Sequence, residues 1–308
     1  MSKIVHLKKV LNWLHPKYYR FRVYYIIRYF VYLYYKITKF PEPKHYLSIV
    51  AIFKNEADYI AEWLEYHLLV GVQKFYLYDN ESTDNVKDIL DPYIKVGIVE
   101  YKYWTGKAQQ KKVYLDSLKK VYKETYWVAA IDIDEFIVPV VNDTLSEFLK
   151  DFEQYPGVQI NWVTYGSSGK KSKEDGLVIE RFKDHSFFEN DNNNYVKTIS
   201  NTRYLVYFTI HTAKYVFEKV AVDSDKNKRD IFFHNRKGLF DKIRVNHYQT
   251  KSYEEFWTRK RLGRVSNGNE YPTDDSFFHS LDHNDVKNDT IMDKYVALIK
   301  NNIEKRKG

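Results

Sequence analysis

Three carboxylates stand together in the segment WVAAIDIDEFIVP, which runs from Trp127 to Pro139. An apolar run leads into Asp132, Asp134 and Glu135, and a second apolar run follows them. Because an unpaired buried charge is costly, these acids must lie at the open end of a strand or hold a cation. Positions i and i+2 of a strand point to the same side, so Asp132 and Asp134 are expected to share one ligand. Two carboxylates with a few waters suit Mg²⁺ or Mn²⁺, which keep positions open for phosphate oxygens.

The composition narrows the choice of metal. The chain has 308 residues and no cysteine, which excludes disulfides and thiolate metal sites and leaves Asp, Glu and His as ligands. A hard metal that prefers oxygen ligands fits best. The length allows one large domain or two modest ones with a substantial core.

The net charge of +8 is distributed unevenly. Residues 1–44 hold ten Lys or Arg and one acid, Glu42, whereas the remainder holds 39 basic and 40 acidic residues. A domain that binds nucleic acid by neutralising phosphates should be basic in its body, and this body is neutral. We therefore expect no nucleic-acid partner.

The N-terminal segment from Tyr18 to Phe40 is rich in aromatic residues and basic. At about 100° per residue, one helical side collects an apolar stripe and the opposite side collects basic residues: Val23, Ile26, Phe30, Leu33 and Ile37 against Lys17, Arg20, Arg28 and Lys39. Such a helix suits a membrane interface, but it also suits packing on the body or on a second subunit, and the sequence leaves these open. Arg22 and Arg28 interrupt the apolar run and argue against a transmembrane span. We expect a cytoplasmic protein, peripheral at the membrane face.

The rest of the chain alternates between strand and helix patterns. LSIVAIF, Leu47 to Phe53, is a continuous apolar run typical of a strand covered on both faces. Three further predicted strands follow, each preceded by a helix: QKFYLYD, GIVEYKY and YWVAAIDID. Four strands joined by three helices predict a parallel sheet with right-handed crossovers. The expected organisation is an amphipathic helical segment over 1–44, an α/β domain over 45–270 and a helical tail over 271–308.

Polar residues follow three of the predicted strands. Asn55 comes after the first strand, Asp79 ends the second, and the acids from Asp132 onward end the fourth. Ligands of such sheets bind beyond the carboxyl ends of the strands, so these side chains are expected to converge on one rim. Glu135 points the other way from Asp134 and is predicted to be a structural acid, paired with a basic residue or a backbone donor.

The chain resembles the family 2-like and family 92 glycosyltransferases in four segments that occur in the expected order: SIVAIFKNEADYIAEWLEYHLLVGVQKFYLYDNESTD, WVAAIDIDEFIVP, NWVTYGSSG and NHYQTKSYEEFWTRKRLGR. The resemblance runs from about Leu47 to Arg264 and leaves out the N-terminal segment and the tail after Asn269. It implies the GT-A fold, a Rossmann-like nucleotide-binding α/β domain with a mostly parallel central sheet, flanking helices and a DxD motif.

The resemblance also implies residues that hold a nucleotide-diphosphate sugar donor. Ala51, Phe53, Asn55 and Asp79 occupy the places from which such enzymes contact the nucleotide. Asp79 would accept a hydrogen bond from N3 of uracil, which fits a UDP-sugar. Lys251 is placed to meet a phosphate.

The resemblance assigns the metal ligands as well. Asp134 would coordinate Mn²⁺ or Mg²⁺ directly, and Asp132 would reach the donor ribose, or the metal through a water. A third ligand often comes from a late His, for which His247 matches the family motif and His211 is the competitor. The metal would neutralise the departing diphosphate as a Lewis acid.

The acceptor side is expected near NWVTYGSSG, where Trp162, Tyr165 and Gly166 are the candidates. An aromatic face stacks well on a sugar ring, although burial is the commoner reason for a Trp. The resemblance suggests inversion at the anomeric carbon, with an acid or His deprotonating the acceptor hydroxyl. Three acids of the next segment are candidate bases, the first of them preferred: Asp175, Glu180 and Asp184.

The predicted function is metal-dependent transfer of a hexose from a nucleotide-diphosphate sugar to a glycan or lipid-linked acceptor, as in polysaccharide or glycoconjugate synthesis. A phosphatase of the haloacid dehalogenase type also uses Asp-x-Asp, but there the motif sits on the first strand and its fifth position is Thr or Val. Here Phe136 takes that position and the motif comes fourth, so we reject this reading. A non-catalytic protein that binds sugar nucleotide or glycan on the same fold stays an alternative.

Overall fold

The computed structural model describes residues 19–229, 237–261 and 272–307. Its strands are β1 (His45–Phe53), β2 (Lys74–Asp79), β3 (Val99–Tyr103), β4 (Thr125–Ala130), β5 (Glu135–Pro139), β6 (Gly157–Thr164), β7 (Val196–Asn201), β8 (Leu205–Phe208), β9 (Ala213–Tyr215) and β10 (Ile243–His247). Its helices are α1 (Tyr19–Thr38), α2 (Ala57–Leu69), α3 (Val86–Lys95), α4 (Gln110–Glu124), α5 (Leu145–Lys150), α6 (Val178–Arg181), α7 (Tyr253–Lys260), α8 (Asp275–His279) and α9 (Asp293–Lys307).

Eight strands form one mostly parallel sheet in the order β3-β2-β1-β4-β7-β6-β10-β5. The first four strands, β1 to β4, pair in parallel, as the alternation of strand and helix patterns predicted. Strand β7 is antiparallel to β4 and β6, and β5 is antiparallel to β10. Strands β8 and β9 form a separate hairpin. The predicted fold class, a mixed α/β domain with a mostly parallel sheet, is confirmed.

Strand β1 shows why the sheet is buried on both sides. Ile49, Ala51 and Phe53 belong to the hydrophobic cluster on one face, and Val50 and Ile52 belong to the cluster on the other. Alternation of this kind follows from the two-residue repeat of a strand. A continuous apolar run is therefore the sequence that such a central strand requires.

The C-terminal segment packs back onto the α/β body. Asp282 accepts a hydrogen bond from the backbone N–H of Ser167 at 2.6 Å. Asp289 forms a buried ion pair with Arg244, which lies on β10. At the chain end, Arg306 Nε lies 2.9 Å from the Glu65 carboxylate on α2. The C-terminal segment is therefore packed against the α/β domain.

The N-terminal helix α1 covers the part of the aromatic segment that the structure describes. Residues 1–18, with Lys3, Lys8, Lys9 and Lys17, lie outside the described residues, as does the expected domain boundary at residue 270. Among the described helices, none combines the length and the apolar character needed to cross a bilayer.

Candidate active site

The acids of the DxD segment lie in a turn, which corrects the expectation that they continue a strand. Strand β4 ends at Ala130, β5 begins at Glu135, and the backbone N–H of Glu135 donates to the carbonyl of Asp132 at 3.2 Å. Because β5 leaves to pair with β10, the chain changes direction between the two aspartates. The side-chain alternation of a strand does not apply there, so Asp132 and Asp134 have different partners.

Asp132 and Glu135 share a buried lysine, Lys197 of β7. Lys197 Nζ lies 2.9 Å from Asp132 Oδ2 and 3.1 Å from Glu135 Oε2. Glu135 Oε2 also accepts the backbone N–H of Asp132 at 3.0 Å. Glu135 was expected to pair with a basic residue or a backbone donor, and the structure shows both. Burial raises the pKa of Glu135 to about 8, against the opposing charge of Lys197.

Asp134 faces a second group of cations and a histidine. Its Oδ2 accepts a hydrogen bond from the Arg259 guanidinium on α7 and lies 3.6 Å from His247 Nε2 at the end of β10. Arg259 Nε also lies 3.4 Å from Glu56. Burial alone would raise the pKa of Asp134, but Arg259 and His247 outweigh it and hold the pKa well below its usual range. Asp134 is therefore ionised in the absence of any bound cation.

The side chains around Asp134 supply some of the ligands that a hard divalent metal needs. Asp134 Oδ1 is buried and has no hydrogen-bond partner, and neither does His247 Nδ1. Burial lowers the pKa of His247, which favours the neutral imidazole that a metal requires. One carboxylate and one imidazole leave positions for donor phosphates and water. Asp132 does not join them, because Lys197 holds it, and no group of three or more such ligands occurs within the described ranges.

His211, the competing candidate for the third metal ligand, and His247 both lie beside the ring of Trp162. The Trp162 ring centroid is 4.1 Å from that of His247 and 5.4 Å from that of His211. His211 is nearer the Lys197 group: burial first and then the charge of Lys197 lower its pKa to about 4. His247 is the one that lies 3.6 Å from Asp134 Oδ2 through its Nε2. Trp162 itself is half-buried and Nε1 has no partner, so it stays an acceptor-side candidate.

The four predicted nucleotide contacts divide into two pairs. Ala51 and Phe53 lie within β1 with their side chains in the core, so their predicted contact with a nucleotide would have to come from the backbone. Asp79 ends β2, where Oδ1 accepts the Ser82 N–H at 2.8 Å and Oδ2 accepts the Tyr101 hydroxyl at 2.7 Å. A uracil N3–H would have to use the remaining lone pairs of this carboxylate.

Asn55 connects the two loops of the rim. Its Oδ1 accepts the backbone N–H of Thr83 at 2.7 Å, and its own N–H donates to Ser82 Oγ at 2.9 Å. The left-handed φ of 54° at Asn55 is tolerated because Asn adopts that region more readily than most residues. The loops after β1 and β2 are thus tied together beside the acidic turn.

Lys251 is part of the Asp134 group. It is buried, with Nζ 4.3 Å from the centroid of the Tyr59 ring. Burial lowers its pKa, and the facing carboxylates of Glu56 and Asp134 oppose that shift. Lys251 and Arg259 therefore place two cations beside Asp134, where a diphosphate would meet them.

Two of the three acceptor-side candidates, Tyr165 and Gly166, are buried. Tyr165 is buried, and its hydroxyl donates to Asp289 at 2.6 Å, so its ring is not available to a sugar. At Gly166 a Cβ would lie 2.4 Å from Asn284 Oδ1 and 2.4 Å from the His283 carbonyl, because the C-terminal segment fills this space. Asp175 is exposed in the following loop and lies outside the Asp134 group, so its role as a base stays a prediction.

Sequence reasoning missed Lys197 and Arg259. Lys197 had a weak signal, since a lysine within the strand sequence VKTISN needs a buried partner. Arg259 lies in the last turn of a helix, where a basic residue is ordinary because it complements the helix dipole. Nothing local distinguishes it from its neighbours.

Comparison with known proteins identifies one family. Residues 45–291 match the model described as glycosyltransferase family 92, so the match extends beyond Arg264 into the C-terminal segment. A family 92 protein of Oryza sativa subsp. japonica is 28% identical over 116 residues, 37% of this chain and 20% of that protein. One from Ricinus communis is 23% identical over 135 residues, 42% of this chain and 24% of that protein. This chain thus spans about a quarter or less of the length of these curated relatives.

Solved structures give weaker likenesses. The crystal structure of S. aureus TarS 1-349 has 19% identity and a TM-score of 0.38, covering 70% of this chain and 64% of that one. TarS in complex with UDP-GlcNAc has 18% identity and a TM-score of 0.35, covering 51% of this chain and 45% of that one.

Proposed function

This chain belongs to glycosyltransferase family 92, and on that premise we propose that it transfers a hexose from a nucleotide-diphosphate sugar, with a uridine nucleotide, to a glycan or lipid-linked acceptor. The observation that carries the proposal is the Asp134 carboxylate, ionised and with one unpartnered oxygen, beside His247 and two cations. Family membership supplies the reaction class, and this group supplies a place for the diphosphate.

Each part of the site has one task in the proposed reaction. Asp134 and His247 would hold Mn²⁺ or Mg²⁺, which when bound supplies Lewis-acid stabilisation of the leaving diphosphate. Lys251 and Arg259 contact the phosphates, since their charges already face Asp134. Asp79 orients the nucleobase at the end of β2.

The acceptor approaches from the Trp162 side, where an aromatic face can carry a sugar ring. A base across the donor from the metal, with Asp175 as first candidate, removes the proton of the attacking hydroxyl. Direct displacement of this kind inverts the anomeric carbon.

The proposal is tested by measuring nucleotide release from a panel of sugar nucleotides, first with Mn²⁺ and then with EDTA. We expect release from at least one UDP-sugar with Mn²⁺ and its loss with EDTA, because the departing diphosphate needs its charge neutralised. Tight UDP binding without release, with or without added glycans, would instead support the non-catalytic alternative. A folded protein that neither binds any sugar nucleotide nor releases nucleotide from one would overturn the proposal.

His247 and His211 are expected to differ in their effect on metal affinity. His247→Ala should weaken Mn²⁺ binding by about tenfold or more, because it removes an imidazole next to Asp134. His211→Ala, a matched change on the other side of Trp162, should leave the affinity within about twofold. Free Mn²⁺ counted by electron paramagnetic resonance during titration gives the affinity directly. The reverse ranking of the two variants would transfer the ligand role to His211.

A further inference from the structure

Helix α1 is fixed on the body by a buried arginine. Arg28 Nε donates to the Leu205 carbonyl at 2.9 Å, and Nη2 donates to the Thr202 carbonyl at 2.6 Å. Its guanidinium lies 3.8 Å from the centroid of the Tyr122 ring. A buried guanidinium with these partners determines which side of the helix meets the body. The side that the sequence marks as basic therefore faces inward at Arg28.

The opposite side of α1 is apolar and exposed. Five side chains with exposed fractions of 47 to 87% form what we call the apolar stripe: Ile26, Ile27, Phe30, Tyr34 and Ile37. At 3.6 residues per turn they lie within about 100° of one another around the helix. Phe30 is 63% exposed and Ile37 is 87% exposed. A continuous row of large apolar side chains on a surface indicates a binding partner, whereas scattered ones do not.

The size of the apolar stripe argues against a second copy of the chain as that partner. The stripe consists of five side chains along about 17 Å of helix. A stable protein interface takes about 20–30 residues from each partner. A bilayer needs much less, because a single helix lying in the interface plane buries only its apolar side.

The charge of the segment favours a lipid surface of opposite sign. Lys36 is exposed in the last turn of α1, and Lys39, exposed just after the helix, lies 3.3 Å from the Glu42 carboxylate. Residues 1–44 as a whole hold ten basic residues and one acid. The stripe also contains Tyr34, and tyrosine is enriched at the level of the lipid headgroups in membrane proteins. We propose that the apolar stripe docks α1 in the plane of an anionic membrane surface, with Arg28 attaching the helix to the body.

The attachment and the acidic turn lie at opposite ends of β4. The Thr202 hydroxyl, next to the carbonyl that Arg28 binds, donates to the carbonyl of Thr125 at 2.5 Å. Thr125 begins β4, and the acidic turn follows its end at Ala130. Six residues of strand separate the two by about 20 Å. The proposed docking therefore uses residues other than those of the proposed transferase site, and it can be measured without that activity.

The test is cosedimentation of the full chain with vesicles. Wild type should bind vesicles of phosphatidylcholine with phosphatidylglycerol, and bind phosphatidylcholine alone much less. The triple variant Ile26→Ser, Phe30→Ser and Ile37→Ser should lose at least about tenfold in partitioning, because it removes most of the apolar area of the stripe. A control with the same kind of change at exposed apolar residues elsewhere should bind like wild type: Val96→Ser, Val141→Ser and Phe187→Ser.

Three results would overturn this proposal. The first is wild-type protein that fails to sediment with anionic vesicles. The second is a triple variant that binds as well as the control while both keep the wild-type circular dichroism spectrum. The third is a wild-type dimer in light scattering that the triple variant alone converts to monomer, which would assign the stripe to a second copy.

Discussion

Replacing Asp134 with Asn is expected to lower Mn²⁺-dependent nucleotide release by at least about a hundredfold. The substitution keeps the shape of the side chain and removes its charge, so His247 is left without the neighbouring carboxylate. Release of the nucleotide is measured with the best UDP-sugar of the panel at saturating Mn²⁺. Wild-type release by a folded Asp134→Asn protein would contradict the metal assignment.

The Asp134→Asn variant is expected to have the opposite effect on the binding of UDP in the absence of metal. Without Asp134 the cations of Lys251 and Arg259 face the ligand with less negative charge around them. UDP affinity in EDTA should therefore stay equal or rise, while UDP affinity in Mn²⁺ falls. Calorimetric titration under both conditions measures this. A simple loss of folding would lower both affinities together.

A matched control separates catalysis from stability. Asp289 is also an aspartate in an ion pair with a buried arginine, Arg244, but it lies in the C-terminal segment and its partners are Arg244 and Tyr165. Asp289→Asn should destabilise the fold, because Arg244 then keeps a buried charge without its partner. Nucleotide release at a temperature where this variant is folded should stay close to wild type.

The parallel half of the sheet follows from local sequence patterns. Apolar runs and helical spacing are properties of adjacent residues, and they predicted β1 to β4 with the helices between them. The strand order of β5 to β10 rests on pairings between distant segments, such as Glu135 opposite His247. Such register cannot be read from either segment alone.

The candidate site likewise has features that the local sequence predicts and features that depend on distant residues. The sequence predicted an acidic rim and the approach of His247 to Asp134, because chemistry and motif position indicate both. It did not predict that Asp132 turns away, since that depends on a lysine 65 residues later. The partner of Asp134, Arg259, lies 125 residues away in a helix whose last turn also holds Lys260. Both arrangements are consequences of packing that only the folded chain shows.

Replacing Lys197 with Met is expected to destabilise the fold, and by an amount that grows with pH. Met fills nearly the same volume without charge, so the change removes one partner of a buried ion group. Asp132 is about one-third exposed and can turn to water, which limits that part of the loss to about 1 kcal/mol. Glu135 is fully buried and cannot do so.

The pH dependence follows from the pKa of Glu135, which is about 8 in the wild-type fold. Below that pH the Glu135 carboxyl is protonated with or without Lys197, so the variant loses little through it. Above it the wild-type carboxylate is ionised beside Lys197, whereas the variant must retain its proton or bury an unpaired charge. The native variant then binds more protons than native wild type, and its relative stability falls by up to about 1.4 kcal/mol per pH unit.

Urea unfolding of both proteins at pH 6 and pH 9.5 measures the difference. The destabilisation should be about 2 kcal/mol larger at the higher pH. Adding Glu135→Gln to Lys197→Met should remove this pH dependence, because no titratable carboxyl then remains at that position. Lys183→Met, which removes a partly exposed lysine paired with Asp293, should cost no more than about 1 kcal/mol at either pH. An equal destabilisation by Lys197→Met at both pH values would show that Lys197 does not stabilise an ionised Glu135.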